Sequence, residues 1–436
     1  MKKVLIITYY WPPAGGPGVQ RWLKFVKYLS RKDYNITVFT VSNGEYPVID
    51  SSLEKDVPSK IRIIKSHILE PFSFYKKLIG QDKKEKINPG FLHEKKKTSI
   101  LQSLAIWVRG NLFIPDARLF WIRPSVKKLK HLMKEEQFDT LITTGPPHSA
   151  HVIGLRLKQY FKELHWIADF RDPWTSIDYF KDLKLSQKAL TKHKKLEKKV
   201  LDHASKIIVI GEGMKAEFQT ITDTPVFVIP NGYDPEDFQT NDANLKSDHF
   251  FSITHVGMIN KDRNHLIFYK ALSELKQENN TFKDLLKIRF AGKLDKAVYQ
   301  LLDQYDLSEN LEYTPYINHS EVFNFETKAS LLYLPINNTP NAKAILTGKI
   351  FEYLAAERPI LCIGPPDGDA AKIILECEAG SIADFKDLSM LKETITAFFK
   401  KHLEGTLQLH KKIYEKYSRE KQTAVLERFI NNSLND

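Results

Sequence analysis

Short apolar, β-branched runs alternate with helical stretches along this chain, and the alternation occurs twice. Val4 to Thr8, Ile36 to Val41, Thr140 to Gly145, His165 to Phe170, Lys206 to Gly211 and Val226 to Gly232 form the first series. Between them apolar residues fall at helical spacing, as in Val19, Trp22, Val26 and Leu29. Strands that are apolar throughout and joined by helices belong to parallel sheets covered on both faces. A polar stretch from Asp234 to Asp248 interrupts the pattern. It resumes with Phe250 to Gly257, Lys287 to Gly292, Ala329 to Ile336, Ile360 to Ile363 and Gly380 to Asp384. The 436 residues therefore read as two α/β domains with doubly wound sheets. The expected divisions are 1–235, a linker 236–249, 250–405, and a final helical segment 406–436.

A net charge of +12 favours anionic partners: phosphates, an acidic membrane surface or nucleic acid. Nucleic acid is set aside, because there is no zinc-finger spacing and no RNP-like strand, and the lysines spread along helices. Two cysteines, Cys362 and Cys377, make neither a disulfide framework nor a metal site, which fits a reducing cytosol. The N-terminal apolar run is cut short by Pro12-Pro13, unlike a signal peptide. No stretch approaches the ~20 apolar residues of a spanning helix. A cytoplasmic location is expected.

In open parallel sheets, ligands bind beyond the carboxyl ends of the strands, and several motifs fall there. "TYYWPPAGGPGVQRW" contains Gly15, Gly16 and Gly18, which let backbone approach a ligand or simply make a tight turn. It lacks the GxGxxG spacing of a nicotinamide site. "WIADFRDPWT" crowds Asp169, Arg171 and Asp172 at a strand end, either for a task or as an internal Arg–Asp clamp. "TTGPPHSAH" puts His148 at the head of a helix, as a capping group or a catalyst. "HVGMINKDRN" places Lys261 and Arg263 after a strand, where cations suit a diphosphate or merely a soluble loop. "LTGKIFEYLAAERPILCIG" reads as a core helix followed by a buried strand, yet Lys349 and Glu352 sit one turn apart at its start. A surface i,i+3 ion pair worth a few tenths of a kcal/mol is the plain account of that pair.

Taken in order, "PPAGGPGVQR", "PNGYD", "HVG…KDRN", "TGKIFEYLAAERPIL" and "PPDGDAAKII" resemble retaining glycosyltransferases of family 4. The resemblance implies a GT-B fold, with two Rossmann-like domains facing an inter-domain cleft and the C-terminal helix packing back on the first. It implies that Glu352 binds the ribose of a nucleotide. Arg263, Lys261 and Lys349 would then face its diphosphate, with amides of Thr347, Gly348 and Lys349 adding donors. Gly15, Gly16 and Gly18 would complete the donor side, and Arg171, Asp172 and His148 are the candidate catalytic groups. Three positions depart from the family pattern. Ala344 stands where a first glutamate is usual, Met258 replaces an arginine, and the Arg171-Asp172 pair replaces a histidine.

The implied activity is transfer of a sugar, with retention, from a nucleoside-diphosphate sugar to a hydroxyl on a sugar or lipid-linked acceptor, in cell-surface polysaccharide or glycoconjugate synthesis. No metal and no cofactor beyond the nucleotide sugar are expected. The alternatives are a nucleotide-sugar 2-epimerase of the same fold and a catalytically inert nucleotide-sugar or membrane-binding protein. The lysine-rich run Lys76 to Lys97, followed by the helical stripe Leu101, Leu104, Ala105 and Val108, reads either as a solvated, packed segment or as a peripheral contact with an anionic inner membrane face.

Overall fold

The computed structural model describes residues 1–69, 100–238, 249–315, 317, 319–409 and 413–431. The chain divides into two compact units, Met1–Pro230 with Gln422–Asp436, and Asn231–Lys421. Residues 239–248, most of the expected linker, and the lysine-rich run 76–97 lie outside the described residues.

In the first unit, β1 (Lys2–Ile7), β2 (Tyr34–Val41), β3 (Arg62–Ser66), β4 (Thr140–Gly145), β5 (His165–Phe170), β6 (Lys206–Val209) and β7 (Val226–Val228) form one sheet in the order 3-2-1-4-5-6-7. Every pairing is parallel, with Val4 beside Ile36 on one side and Thr140 on the other. Chain order reverses across β1 and β4, so a crevice opens beyond their carboxyl ends.

The helix Pro17–Leu29 starts on Gly16, whose φ of 90° is a conformation that glycine adopts freely, and has proline in its first turn. It buries Val19, Trp22, Leu23, Val26 and Leu29 against β1 and β2 residues. Leu426, Phe429 and Ile430 of the helix Arg419–Ile430 are buried in this same core beside Val4 and Ile6. The aromatic ring of Phe429 lies 4.6 Å from that of Phe227.

In the second unit, β8 (Phe251–Val256), β9 (Leu286–Ala291), β10 (Leu311–Thr314), β11 (Leu331–Pro335), β12 (Ile360–Ile363) and β13 (Gly380–Ala383) form a parallel sheet in the order 10-9-8-11-12-13. Its switch point lies between β8 and β11. The core includes Phe251, Phe268, Phe290 and Tyr333, with the Phe268 and Tyr333 rings stacked at 4.3 Å. Both domains are thus doubly wound α/β sheets.

Candidate functional site

In the second unit, charged residues gather at the switch point. β8 ends in His255-Val256-Gly257, and Gly257 has a φ of +134°. A Cβ there would lie 2.4 Å from Lys349 Cε and 2.7 Å from its Nζ, so the missing side chain is the space the lysine occupies. His255 Nδ1 donates to the Tyr333 carbonyl at 2.9 Å, which leaves Nε2 as a bare acceptor beside the Lys349 ammonium. Burial, then the Lys349 charge, lowers the His255 pKa to about 3, so the ring is neutral.

Lys349 and Glu352 do not pair. Neither makes an ion pair or hydrogen bond with any described residue, although both are half-buried in the helix Lys349–Ala355. The surface ion pair that the spacing suggested is absent. The helix instead buries Ile350, Phe351, Tyr353 and Leu354, and Tyr353 Oη accepts from the Val256 amide at 3.2 Å. That bond ties the helix to the end of β8.

Arg263 is anchored by Nε to Asn337 Oδ1 at 2.6 Å and by Nη1 to the Met258 carbonyl at 3.4 Å. Lys261 is exposed in the same short turn. Thr347 Oγ1 is buried without a hydrogen bond among the described residues, and the neighbouring Gly348 leads into the helix.

One residue here escaped the sequence reading. Glu326, in the helix His319–Thr327, is completely buried, and neither carboxyl oxygen has a hydrogen-bond partner among the described residues. Burial first, then the Glu352 charge, pushes its pKa well above the carboxylate range, while Lys349 pulls it down. Glu326 is therefore a neutral acid behind the Lys349–Glu352 pair. A carboxyl whose folded pKa is raised contributes stability fully below its unfolded value of 4.5, and that contribution is lost as pH rises through the folded pKa. Glu326→Gln should accordingly melt near the wild-type temperature at pH 4.5 and above it at pH 8.5. Parallel melting curves across that range check this; a gap that stays constant with pH would contradict it.

In the first unit, the expected groups separate into holders and wall residues. Asp169 is fully buried and pairs with Arg21 at 2.8 Å, and also accepts from Trp22 Nε1 at 2.7 Å and Thr144 Oγ1 at 2.8 Å. Arg21 also donates to the carbonyls of Ile229 and Pro230, each at 2.9 Å. Arg171, expected among the catalytic groups, is surrounded by backbone carbonyls. Its guanidinium donates to the carbonyls of Gly18 at 2.6 Å, Gly145 at 3.3 Å and Pro146. It links the glycine-rich turn to the Gly-Pro-Pro turn.

Gly15, Gly16 and Gly18, expected on the donor side, belong to this unit and not to the one that carries Lys349. Gly15 donates to the Val48 carbonyl at 2.9 Å. A Cβ at Gly18 would meet Arg171 Nη1 at 2.7 Å.

His148 and Asp172 line a cavity of about 370 Å³ with Arg109, Arg118 and Asp116, within the range of small-ligand sites. Tyr10, Tyr46, Phe113, Trp174 and Phe180 supply apolar wall. The His148 ring stacks on Trp174 at 4.6 Å, and its buried Nδ1 has no partner among the described residues. Burial, then His151, Arg171 and His193, holds its pKa well below 6.5, so it is neutral. Among the described residues no group of three or more His, Cys, Asp or Glu is arranged to hold a metal ion.

Known proteins show what this arrangement belongs to. Sucrose-phosphate synthase from Thermosynechococcus elongatus superposes with a TM-score of 0.60 at 15% identity, over 99% of this chain and 97% of that one. S. aureus TarM, solved with fondaparinux, α-GlcNAc-glycerol and UDP, gives 0.60 at 11% identity, over 99% and 100%. The chain has the GT-B fold. WaaG, a glycosyltransferase involved in lipopolysaccharide biosynthesis, aligns with this GT-B chain at a TM-score of 0.54 and 12% identity, over 99% and 98%. No curated protein matches by sequence. Residues 88–237, about a third of this GT-B chain, match the model of Glycosyltransferase Family 4, and that segment carries β4 to β7, His148, Arg171 and Asp172.

Proposed function

We propose that the protein transfers a sugar from a nucleoside-diphosphate sugar to an acceptor hydroxyl, with retained anomeric configuration. The observation that carries this reading is the half-buried Lys349 and Glu352 beside β8, which have no hydrogen-bond or ion-pair partner among the described residues. Two opposite charges one turn apart, each without a partner, suit a ligand that is anionic at one end and rich in hydroxyls at the other. Glu352 accepts from ribose hydroxyls. Lys349, Arg263 and Lys261 neutralise the diphosphate as it leaves, without a metal, and Thr347 and Gly348 border it. His148 and Asp172 face the acceptor in the first unit, and the Gly15–Gly18 turn, braced by Arg171, shapes that side.

The Family 4 match and the GT-B fold support this reading. The likeness to WaaG, which is involved in lipopolysaccharide biosynthesis, supports a role in cell-surface glycoconjugate synthesis. The deciding experiment incubates the protein with UDP-, GDP-, ADP- and dTDP-sugars and acceptors, and follows the anomeric proton by NMR. A glycosylated acceptor with retained configuration is the expected product. An isomerised nucleotide sugar would replace the reading with an epimerase, and binding without turnover would replace it with an inert shell.

Leu104, Trp107 and Leu112, exposed on the helix Ile100–Leu112, support an acceptor held at a membrane surface. No helix among the described residues is long and apolar enough to cross a membrane. Co-sedimentation with anionic liposomes should fall as salt rises and be weakened by Trp107→Glu. No recovery with anionic liposomes at low salt would remove the membrane from the proposal.

A further inference from the structure

The cavity of the first unit holds an unanswered cation. Arg109, near the end of the helix Ile100–Leu112, is half-buried on its wall and makes no hydrogen bond or ion pair with any described residue. A second guanidinium, that of Arg118, lies 4.9 Å above the Tyr9 ring and also faces the cavity.

The acids on the same wall are engaged elsewhere. Asp116 accepts from the Ser149 amide, the Ser149 hydroxyl and the Arg118 amide, each at 2.8 Å, so its carboxylate caps the helix Ser149–Tyr160. Asp172 interacts electrostatically with Arg171, and Glu45 completes the set. The same cavity is lined by the half-buried aromatic rings of Tyr10, Tyr46 and Phe113. An aromatic wall suits the apolar face of a sugar ring. An unpaired arginine next to it suits an anion, since the planar fork matches phosphate or carboxylate oxygens.

We propose that this cavity binds a sugar bearing an anionic substituent, a phosphate or a carboxylate, with Arg109 as its counter-ion and the rings of Tyr10, Tyr46 and Phe113 against the sugar. The inference rests on the reading of the first unit as the acceptor side, and names the class of acceptor. Arg109 selects by charge, and the aromatic wall receives the sugar ring.

The test is calorimetric titration of the full chain with glucose, glucose 6-phosphate, glucuronate and inorganic phosphate. At least one anionic sugar should bind ten-fold or more tightly than glucose, and more tightly than inorganic phosphate. The winner distinguishes phosphate from carboxylate. Arg109→Ala should remove that preference, leaving the three sugars within about three-fold of one another, and Arg109→Lys should restore part of it. Because Arg109 bonds to nothing described, neither substitution should lower the melting temperature.

Equal affinity for neutral and anionic sugars, binding of inorganic phosphate as tight as that of the sugar phosphate, or an unchanged preference in Arg109→Ala would overturn the proposal. Nucleotide-sugar titration of the same variants separates the two readings. A wild-type protein that binds nucleotide sugar but shows no preference for the anionic sugars defeats this inference alone. Anionic-sugar selectivity in a protein that binds no nucleotide sugar defeats the transferase reading alone.

Discussion

Asp169→Ala is expected to destabilise the first unit by about 3–5 kcal/mol, the range for removing one partner of a buried ion pair. Both Asp169 and Arg21 are wholly buried, so the substitution leaves a guanidinium without its charge partner away from water. Trp22 and Thr144 lose their acceptor in the same step. The Arg21 bonds to the Ile229 and Pro230 carbonyls remain, but they do not neutralise charge.

Removing both charges, as Arg21→Met with Asp169→Leu, should cost less than Asp169→Ala alone, because no lone ion stays behind. The measurement is denaturant unfolding followed by tryptophan fluorescence. All six tryptophans lie in the first unit, at positions 11, 22, 107, 121, 166 and 174, so the signal reports that unit. A single-variant midpoint equal to the wild-type value would show that the pair is not the clamp described here.

The second large effect is on binding. Glu352→Ala should weaken nucleotide-sugar affinity by roughly 1.5–3 kcal/mol, about ten- to 150-fold, the worth of a hydrogen bond to a charged group. Stability should not fall with it, since Glu352 has no partner among the described residues to lose. Its removal should also relieve the charge that raises the Glu326 pKa. Titration by calorimetry, with melting curves as the control, checks both halves. Wild-type affinity in the variant would remove Glu352 from the nucleotide site.

Strand interiors were legible where both neighbours in the sheet are present. "TLITTG" and "HWIADF" coincide with β4 and β5, central strands buried along nearly their whole length. β3 and β10 were not legible. Both are edge strands paired on one side only, and "RIIKS" and "LEYT" leave most of their residues exposed or half-exposed, so the apolar signal is missing.

The site was read unevenly for a related reason. Lys349 and Glu352 stood out because charge at the start of a core helix is unusual. Asp169 was marked as a clamp or a functional acid, but its partner lies 148 residues earlier in "GVQRW", a distance no local pattern spans. The carbonyls around the Arg171 guanidinium were hidden too, because they belong to Gly18, Gly145 and Pro146 on separate turns. Glu326 sits three residues after Phe323 and four after Val322, on the inward stripe of its helix, and that placement was the available signal.

The return of the chain at Gln422 to finish the first unit sets a timetable for synthesis. Residues Asn231–Lys421, 421 − 231 + 1 = 191 in number, emerge between the two parts of that unit. At roughly 5–20 residues per second this interval lasts about 10–40 s. Throughout it, the surface that Leu426, Phe429 and Ile430 will cover beside Val4, Ile6 and Trp22 stays open to water and to other chains. The nascent protein thus carries a temporary apolar window, closed only as the helix Arg419–Ile430 leaves the ribosome.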